Sequence, residues 1–312
     1  MKRLGLAPVL FAGVLAMSCK VNLDQDTLTK GWHSYQDAKK DLSPENEYYV
    51  GRSVTTNLLS RANYKYVESD SFKNGELGKT TAYVNAVGNV LAAAAMGDPR
   101  KDDRPSPIAG WHFVIVDDDQ INAFAASGGF IVVNKGLVKA ARNEDELAAV
   151  LAHEVAHTVR GHAIGSIKKA RMAGVYKEML DSSVQLDAEQ LGTMTKAFEG
   201  AMDDMIDSMT VKGYSRDTEF EADRVGLKIM VDAGYDPQAF LSLLEQVDKK
   251  LGNAGTGGMK STHPAPKDRI EKIKAELAKY EHVKVPKART ERFKTAIAQL
   301  DAGGGSAGKE LE

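Results

Sequence analysis

Asn143 to His162 reads NEDELAAVLAHEVAHTVRGH, and within it His153-Glu154-Val155-Ala156-His157 has the form H-E-x-x-H. Asn143 suits the cap of a helix, and Glu146, three residues on, is placed to reach back as in a capping box. Leu147, Val150, Leu151, Ala152 and Val155 then repeat at helical spacing. One turn separates His153 from His157, so both imidazoles project from one face, with Cβ atoms roughly 5–6 Å apart. Two such rings can share one Zn²⁺ at about 2.0–2.1 Å each. Glu154 is rotated about 100° from His153, which sets a carboxylate beside the metal as base for a bound water. A helix can carry two histidines and a glutamate as ordinary polar residues. This one is otherwise so apolar that burying all three without partners would be costly, and a metal is the partner that removes the cost.

A catalytic zinc keeps three protein ligands and an open position. The metzincin pattern HExxHxxGxxH would need glycine at 160 and histidine at 163, where this chain has Arg160 and Ala163. His162 therefore reads as a polar residue at the end of the helix. Thr218-Glu219-Phe220-Glu221-Ala222-Asp223 is the better source. Glu219 and Asp223 are one turn apart on one helix face, while Glu221 is turned about 200° away. Glu219 can ligate, and Asp223 can orient a ligating histidine. This E-x-x-x-D spacing downstream of H-E-x-x-H is the gluzincin arrangement. His263, in Ser261-Thr262-His263-Pro264, has three readings from sequence: a metal contact, an oxyanion contact, or a loop histidine without a role. His33 and His112 read as structural.

Outward from these motifs, WHFVIV at 111–116 reads as a strand, and residues 121–134 as a hairpin or two adjacent strands about Ser127-Gly128-Gly129. Asp117 to Asp119 lack the alternation of a calcium loop and read as a solvated turn. Helical patterns cover 44–61, 80–96, 135–141, 214–232, 238–251, 267–280 and 287–300. The Met-rich stretch 164–209 is helical too, as core filler or as a cover over a cleft. The sum is an α+β fold, mainly helical, with a small β-sheet beside the H-E-x-x-H helix.

The ends differ in character. Lys2 and Arg3 precede an apolar run, Leu4 to Met17, closed by Ser18-Cys19, the layout of a secretory signal over 1–18. Cys19, the single cysteine of the 312 residues, stands where a lipoprotein would be lipidated; a plain secreted protein is the other reading. Residues 19–43 read as a tether, 44–300 as the folded domain and 301–312 as a disordered tail. A net charge of -2 and the lack of a basic run speak against nucleic acid as a partner. With one cysteine there is no intrachain disulfide, so core and metal must carry stability.

HEVAH, YSRDTEFEADRVG and STHPAPKDRI, with INAFAASGGFIVVNKGLV ahead of them, resemble the HtpX/BepA-like zinc metallopeptidases, gluzincins of peptidase family M48. The resemblance covers roughly residues 45–280. It implies a zincin-like fold, one Zn²⁺ held by His153, His157 and Glu219, Glu154 as general base, and Asp223 in support. It also implies that His263 approaches the zinc and restrains activity, and that Asn122 and Ala123 lie on an edge strand that pairs with extended substrate. Its transmembrane and TPR-bearing members have segments with no counterpart here; the short periplasmic lipoprotein branch is the nearest in architecture. The expected function is a zinc endopeptidase in which Glu154 drives attack of zinc-bound water on unfolded or misassembled cell-envelope proteins. The membrane would be reached through Cys19 on the periplasmic face of the outer membrane. A chaperone-like assembly factor with a latent zinc site is the alternative. A purely structural zinc would take His263 as a fourth ligand.

Overall fold

The computed structural model describes residues 42–60, 76–96, 106–164, 206–207, 210, 213–252, 262–263 and 266–302. The expected signal, most of the tether, nearly all of the Met-rich stretch and the tail lie outside the described residues. Within them run α1 (Pro44–Ser60), α2 (Glu76–Met96), β1 (His112–Val116), β2 (Ala123–Ala125), β3 (Phe130–Asn134), α3 (Lys135–Ala140), α4 (Glu144–Val159), α5 (Arg216–Asp232), α6 (Gln238–Gly252), α7 (Pro266–Leu277) and α8 (Lys287–Ala302).

The sheet has the order β1-β3-β2, with β1 parallel and β2 antiparallel to the central β3. A 3-10 turn, Ser127–Gly129, reverses the chain between β2 and β3. Gly128 and Gly129 hold φ of 70° and 89° there, values a side chain would resist. Ile131 to Asn134 are all buried, as their continuous apolar run requires of a strand covered on both faces. On the outer side of β1, the Asn85 amide bonds both main-chain groups of Phe113, donating to its carbonyl at 2.7 Å and accepting its N–H at 3.2 Å.

α4 is the hub. The apolar stripe predicted one buried face, whereas every residue from Glu144 to His157 is buried, because α2, α5, α6 and β2 surround it. Leu147, Leu151 and Val155 are fully enclosed, each contributing about 1.5–3 kcal/mol of apolar burial. Asn143 caps α4 as expected, accepting the Glu146 N–H at 2.8 Å. The reciprocal half of the capping box is displaced by one residue: the Glu146 carboxylate accepts the Arg142 N–H at 2.8 Å and grips the Arg142 guanidinium.

Two boundaries depart from the pattern. α2 starts at Glu76 rather than Thr80. α5 starts at Arg216 behind a Ser215 cap rather than at Tyr214, because Tyr214 stays outside the helix and stacks on His157, ring centroids 4.5 Å apart. α5 crosses α4 at Gly226, where an added Cβ would lie 3.1 Å from the Cα and N of His153. That approach brings Glu219 and Asp223 to the H-E-x-x-H face.

Candidate metal centre

α4 delivers His153, Glu154 and His157; α5 delivers Glu219 and Asp223; the Thr262-His263 segment ahead of α7 delivers His263. His153 Nε2 and His157 Nε2 are 3.0 Å apart. Each is 3.5 Å from one oxygen of Glu219. His263 Nδ1 lies 3.3 Å from His153 Nε2 and 3.0 Å from Glu219 Oε2. One ligand atom from each of the four residues lies within 4.8 Å of every other, and all four are buried. In the deprotonated state that a metal requires, the imidazole nitrogens and the carboxylate turned toward one point are acceptors facing acceptors. Glu219 Oε1 has no hydrogen-bond partner among the described residues. A borderline-soft divalent cation with nitrogen and oxygen ligands satisfies all of them, so the residues fit zinc.

The flanking charges account for the rest. Burial raises the Asp223 carboxyl, but the Arg269 guanidinium at 2.6–2.8 Å and His153 outweigh it and hold Asp223 low. Asp223 Oδ1 in turn lies 2.9 Å from His153 Nδ1, placed to draw a proton to that nitrogen and leave Nε2 for a metal. Burial also opposes charge on Glu219, yet His263, Arg269 and the bond to His153 keep it well below the usual carboxylate range. For His153, burial disfavours the proton while Asp223 and Glu219 favour it, and they prevail, lifting the metal-free ring to about 9. His157 is pushed well down by burial and by the neighbouring His153.

Glu154 is fully buried, with neither oxygen hydrogen-bonded among the described residues. Burial raises its pKa, against the partial opposition of His263 and His153. A carboxylate so raised is suited to taking up a proton. Arg269 was not singled out from sequence, because one arginine on a polar helix looks like a surface residue; the clue was Asp223, whose buried charge needs a partner. Three carboxylates (Glu154, Glu219, Asp223) then stand against one guanidinium and a divalent ion.

Asn122 and Ala123 meet His263 at the end of β2. Asn122 Oδ1 accepts from Thr262 Oγ1 and from the Ala123 N–H, both at 3.0 Å, and His263 Nε2 lies 3.3 Å from the Ala123 carbonyl oxygen. His112 stacks on the Phe130 ring, centroids 4.9 Å apart. His162 departs from its reading as a helix-end polar residue, since its Nδ1 lies 2.9 Å from His157 Nδ1. Glu221, turned away from Glu219 as expected, ion-pairs with Arg160 and lies 3.5 Å from His162.

An H-E-x-x-H helix beside a small mixed sheet, with a second helix supplying a carboxylate to both histidines, defines a metallopeptidase domain of zincin-like fold. Residues 79–277 match the profile of peptidase family M48, and the chain belongs to that family. It is 32% identical over 197 residues to the beta-barrel assembly-enhancing protease of Yersinia pestis, 61% of this chain and 37% of that protein. It is 33% identical over 196 residues to the mitochondrial metalloendopeptidase OMA1 of Schizosaccharomyces pombe, covering 62% and 52%. Against the Escherichia coli K12 beta-barrel assembly-enhancing protease the identity is 28% over 197 residues, covering 61% and 37%. The match thus spans about a third to a half of the length of these curated relatives.

Proposed function

We propose that this chain is a zinc-dependent endopeptidase that hydrolyses peptide bonds in unfolded or misassembled cell-envelope proteins. The observation that carries the reading is Glu154, a buried carboxylate with no hydrogen bond among the described residues and 3.6 Å from His263 Nε2, next to two facing imidazoles and Glu219. Zinc, when bound, supplies Lewis-acid polarisation of the scissile carbonyl and acidifies water. His153, His157 and Glu219 hold it. Glu154 takes the proton from the attacking water and hands it to the leaving amine. Asp223 fixes the His153 tautomer, and Arg269 balances the buried carboxylates. The outer edge of β2, where Asn122 Oδ1 holds the Ala123 N–H and His263 stands at the Ala123 carbonyl, accepts an extended polypeptide as an added strand once those contacts open, a mode that selects unfolded segments.

In this arrangement His263 stands at the fourth metal position and at the Ala123 carbonyl, so catalysis requires it to withdraw. The envelope assignment rests on the signal-like N-terminus with Cys19 as a lipid anchor facing the periplasm, and on relatives named for β-barrel assembly. No described helix is long and apolar enough to cross a membrane. The position of His263 favours one other reading, a chaperone-like assembly factor whose zinc site stays latent.

The test pairs two substitutions on an unfolded protein substrate. Glu154→Gln should keep zinc while cleavage falls roughly 10²–10⁴-fold, and His263→Ala should keep zinc and cleave faster. Undiminished cleavage by Glu154→Gln would remove Glu154 as the base. A silent wild type and His263→Ala, with Glu154→Gln still restoring a deletion strain, would turn the reading to the assembly factor.

A further inference from the structure

The His162–Glu221–Arg160 group lies outside the ligand set, yet it is built against one of the ligands. His157 faces the metal point with Nε2. Its remaining proton therefore belongs on Nδ1, inside the protein, where a donor needs an acceptor. The atom found there is His162 Nδ1 at 2.9 Å. Tyr214 closes one ring face, its plane 22° from that of His157. For His162 Nδ1 to accept, its own proton must sit on Nε2, and that atom lies 3.5 Å from Glu221 Oε2, an ion-pair distance at which no hydrogen bond is formed among the described residues. Glu221 is in turn held by Arg160, with Nε donating to Oε1 at 2.6 Å. Gly161, at φ 67°, ends α4 and turns the chain so that His162 comes back beneath His157.

The two metal histidines are thus backed in parallel. Behind His153 stand Asp223 and Arg269; behind His157 stand His162, Glu221 and Arg160. They differ in the charge of the acceptor. The buried carboxylates Glu154, Glu219 and Asp223 already match one guanidinium plus a divalent ion, so another carboxylate directly behind His157 would leave the site negative. A neutral imidazole orients the ring without that excess, and the second carboxylate is moved outward to Glu221, which is part-exposed.

We propose that His162 is a positioning residue of the zinc site: it accepts the Nδ1 proton of His157, with Glu221 and Arg160 fixing its tautomer, and so holds His157 Nε2 toward the metal. The inference rests on the metal site of the preceding section but not on peptide hydrolysis, so its test reads metal and tautomer rather than turnover. Zinc affinity is measured by chelator competition on the full chain for wild type, His162→Leu, His162→Asn and Glu221→Gln, with metal-free melting alongside. His162→Leu should weaken zinc binding about 10–100-fold with metal-free melting unchanged. His162→Asn, whose Oδ1 can stand where Nδ1 stood, should recover most of that loss. Glu221→Gln, at a part-exposed position that tolerates change, should weaken binding several-fold. Long-range nitrogen–proton spectra of zinc-loaded wild type should show His157 protonated on Nδ1 and His162 on Nε2. Wild-type affinity in His162→Leu, no recovery in His162→Asn, or the opposite tautomer on His162 would each overturn the proposal. Should His162→Leu melt early, Glu221→Gln and the wild-type spectra decide it. Failure of wild type itself to take up zinc would sink the metal site instead.

Discussion

At the scale of single residues, the site depends on a side chain to which its quoted motif assigns no role. Arg269 is 2% exposed and bonds both oxygens of Asp223, with Nη1 3.2 Å from Glu219 Oε2. Arg269→Met preserves most of the volume and removes the guanidinium that two buried carboxylates share, leaving them His153 as counter-charge in the metal-free state, a loss of up to about 3–5 kcal/mol. Denaturant melting of the metal-free protein measures it, and zinc should restore part of the deficit because it binds only the folded state. Equal metal-free melting of wild type and variant would deny Arg269 that role. The side chains gathered at the candidate site are largely legible in the sequence because each pair is set by helical geometry alone: His153 with His157, Glu219 with Asp223. Arg269 and His162 are not. The first reaches its partner by the crossing of α7 over α5, and the second by a left-handed turn at Gly161 that defeats periodic reading.

Among elements, the packing of α5 on α4 decides whether those pairs meet. Gly226 is the point of closest approach to the His153 backbone. Gly226→Ala gains about 1 kcal/mol of helix propensity, while its Cβ obliges the two helices to part by a few tenths of an ångström. The two effects nearly cancel in stability, but only the second moves His153 relative to Glu219. The variant should therefore melt within about 1 kcal/mol of wild type, given the propensity gain, and bind zinc more weakly. Unchanged zinc affinity would show that the crossing has slack. The helices and strands were largely legible, since the hydrophobic spacing of α4 and the dense apolar runs of β1 and β3 follow from burial. Tyr214 continues the pattern of α5 in sequence, yet it stands ahead of the Ser215 cap with its ring stacked on His157. That α4 is buried on every side is hidden by its polar residues, which apart from Glu154 are buried against polar partners.

Across the whole molecule, α8 lies beyond the residues matched to the family and closes on the first turn of α4. Glu144, Asp145 and Glu146 are all buried there. The positive end of the helix favours acids, but burial demands counter-charges. Arg292 pairs with Glu144 and Arg289 with Asp145, the latter at 2.7 Å. Tyr83 and Tyr235 add hydroxyl bonds to Glu144 at 2.6 and 3.2 Å, and Thr80 bonds the Ala296 carbonyl at 2.7 Å. Arg292 is half-exposed, so Arg292→Ala should cost about 1–3 kcal/mol rather than the full value of a buried pair. Loss of α8 entirely, with Phe293 and Leu300 leaving the core, should abolish cooperative melting. A chain ending before Lys287 that still melted cooperatively would make α8 an accessory. The helical pattern announced α8; what it clamps depends on pairings more than a hundred residues apart, which no local pattern carries.

Under the proposed function, a molecule taking extended chains as an extra strand would be exposed to the same treatment from its own copies, since one open edge can grasp another and grow into a fibre. The Asn85 amide on Phe113 meets that hazard on the side of the sheet away from the metal. It uses one side chain to imitate a neighbouring strand for a single residue, which makes β1 a poor template for polymerisation and would leave strand addition to the edge beside the metal site.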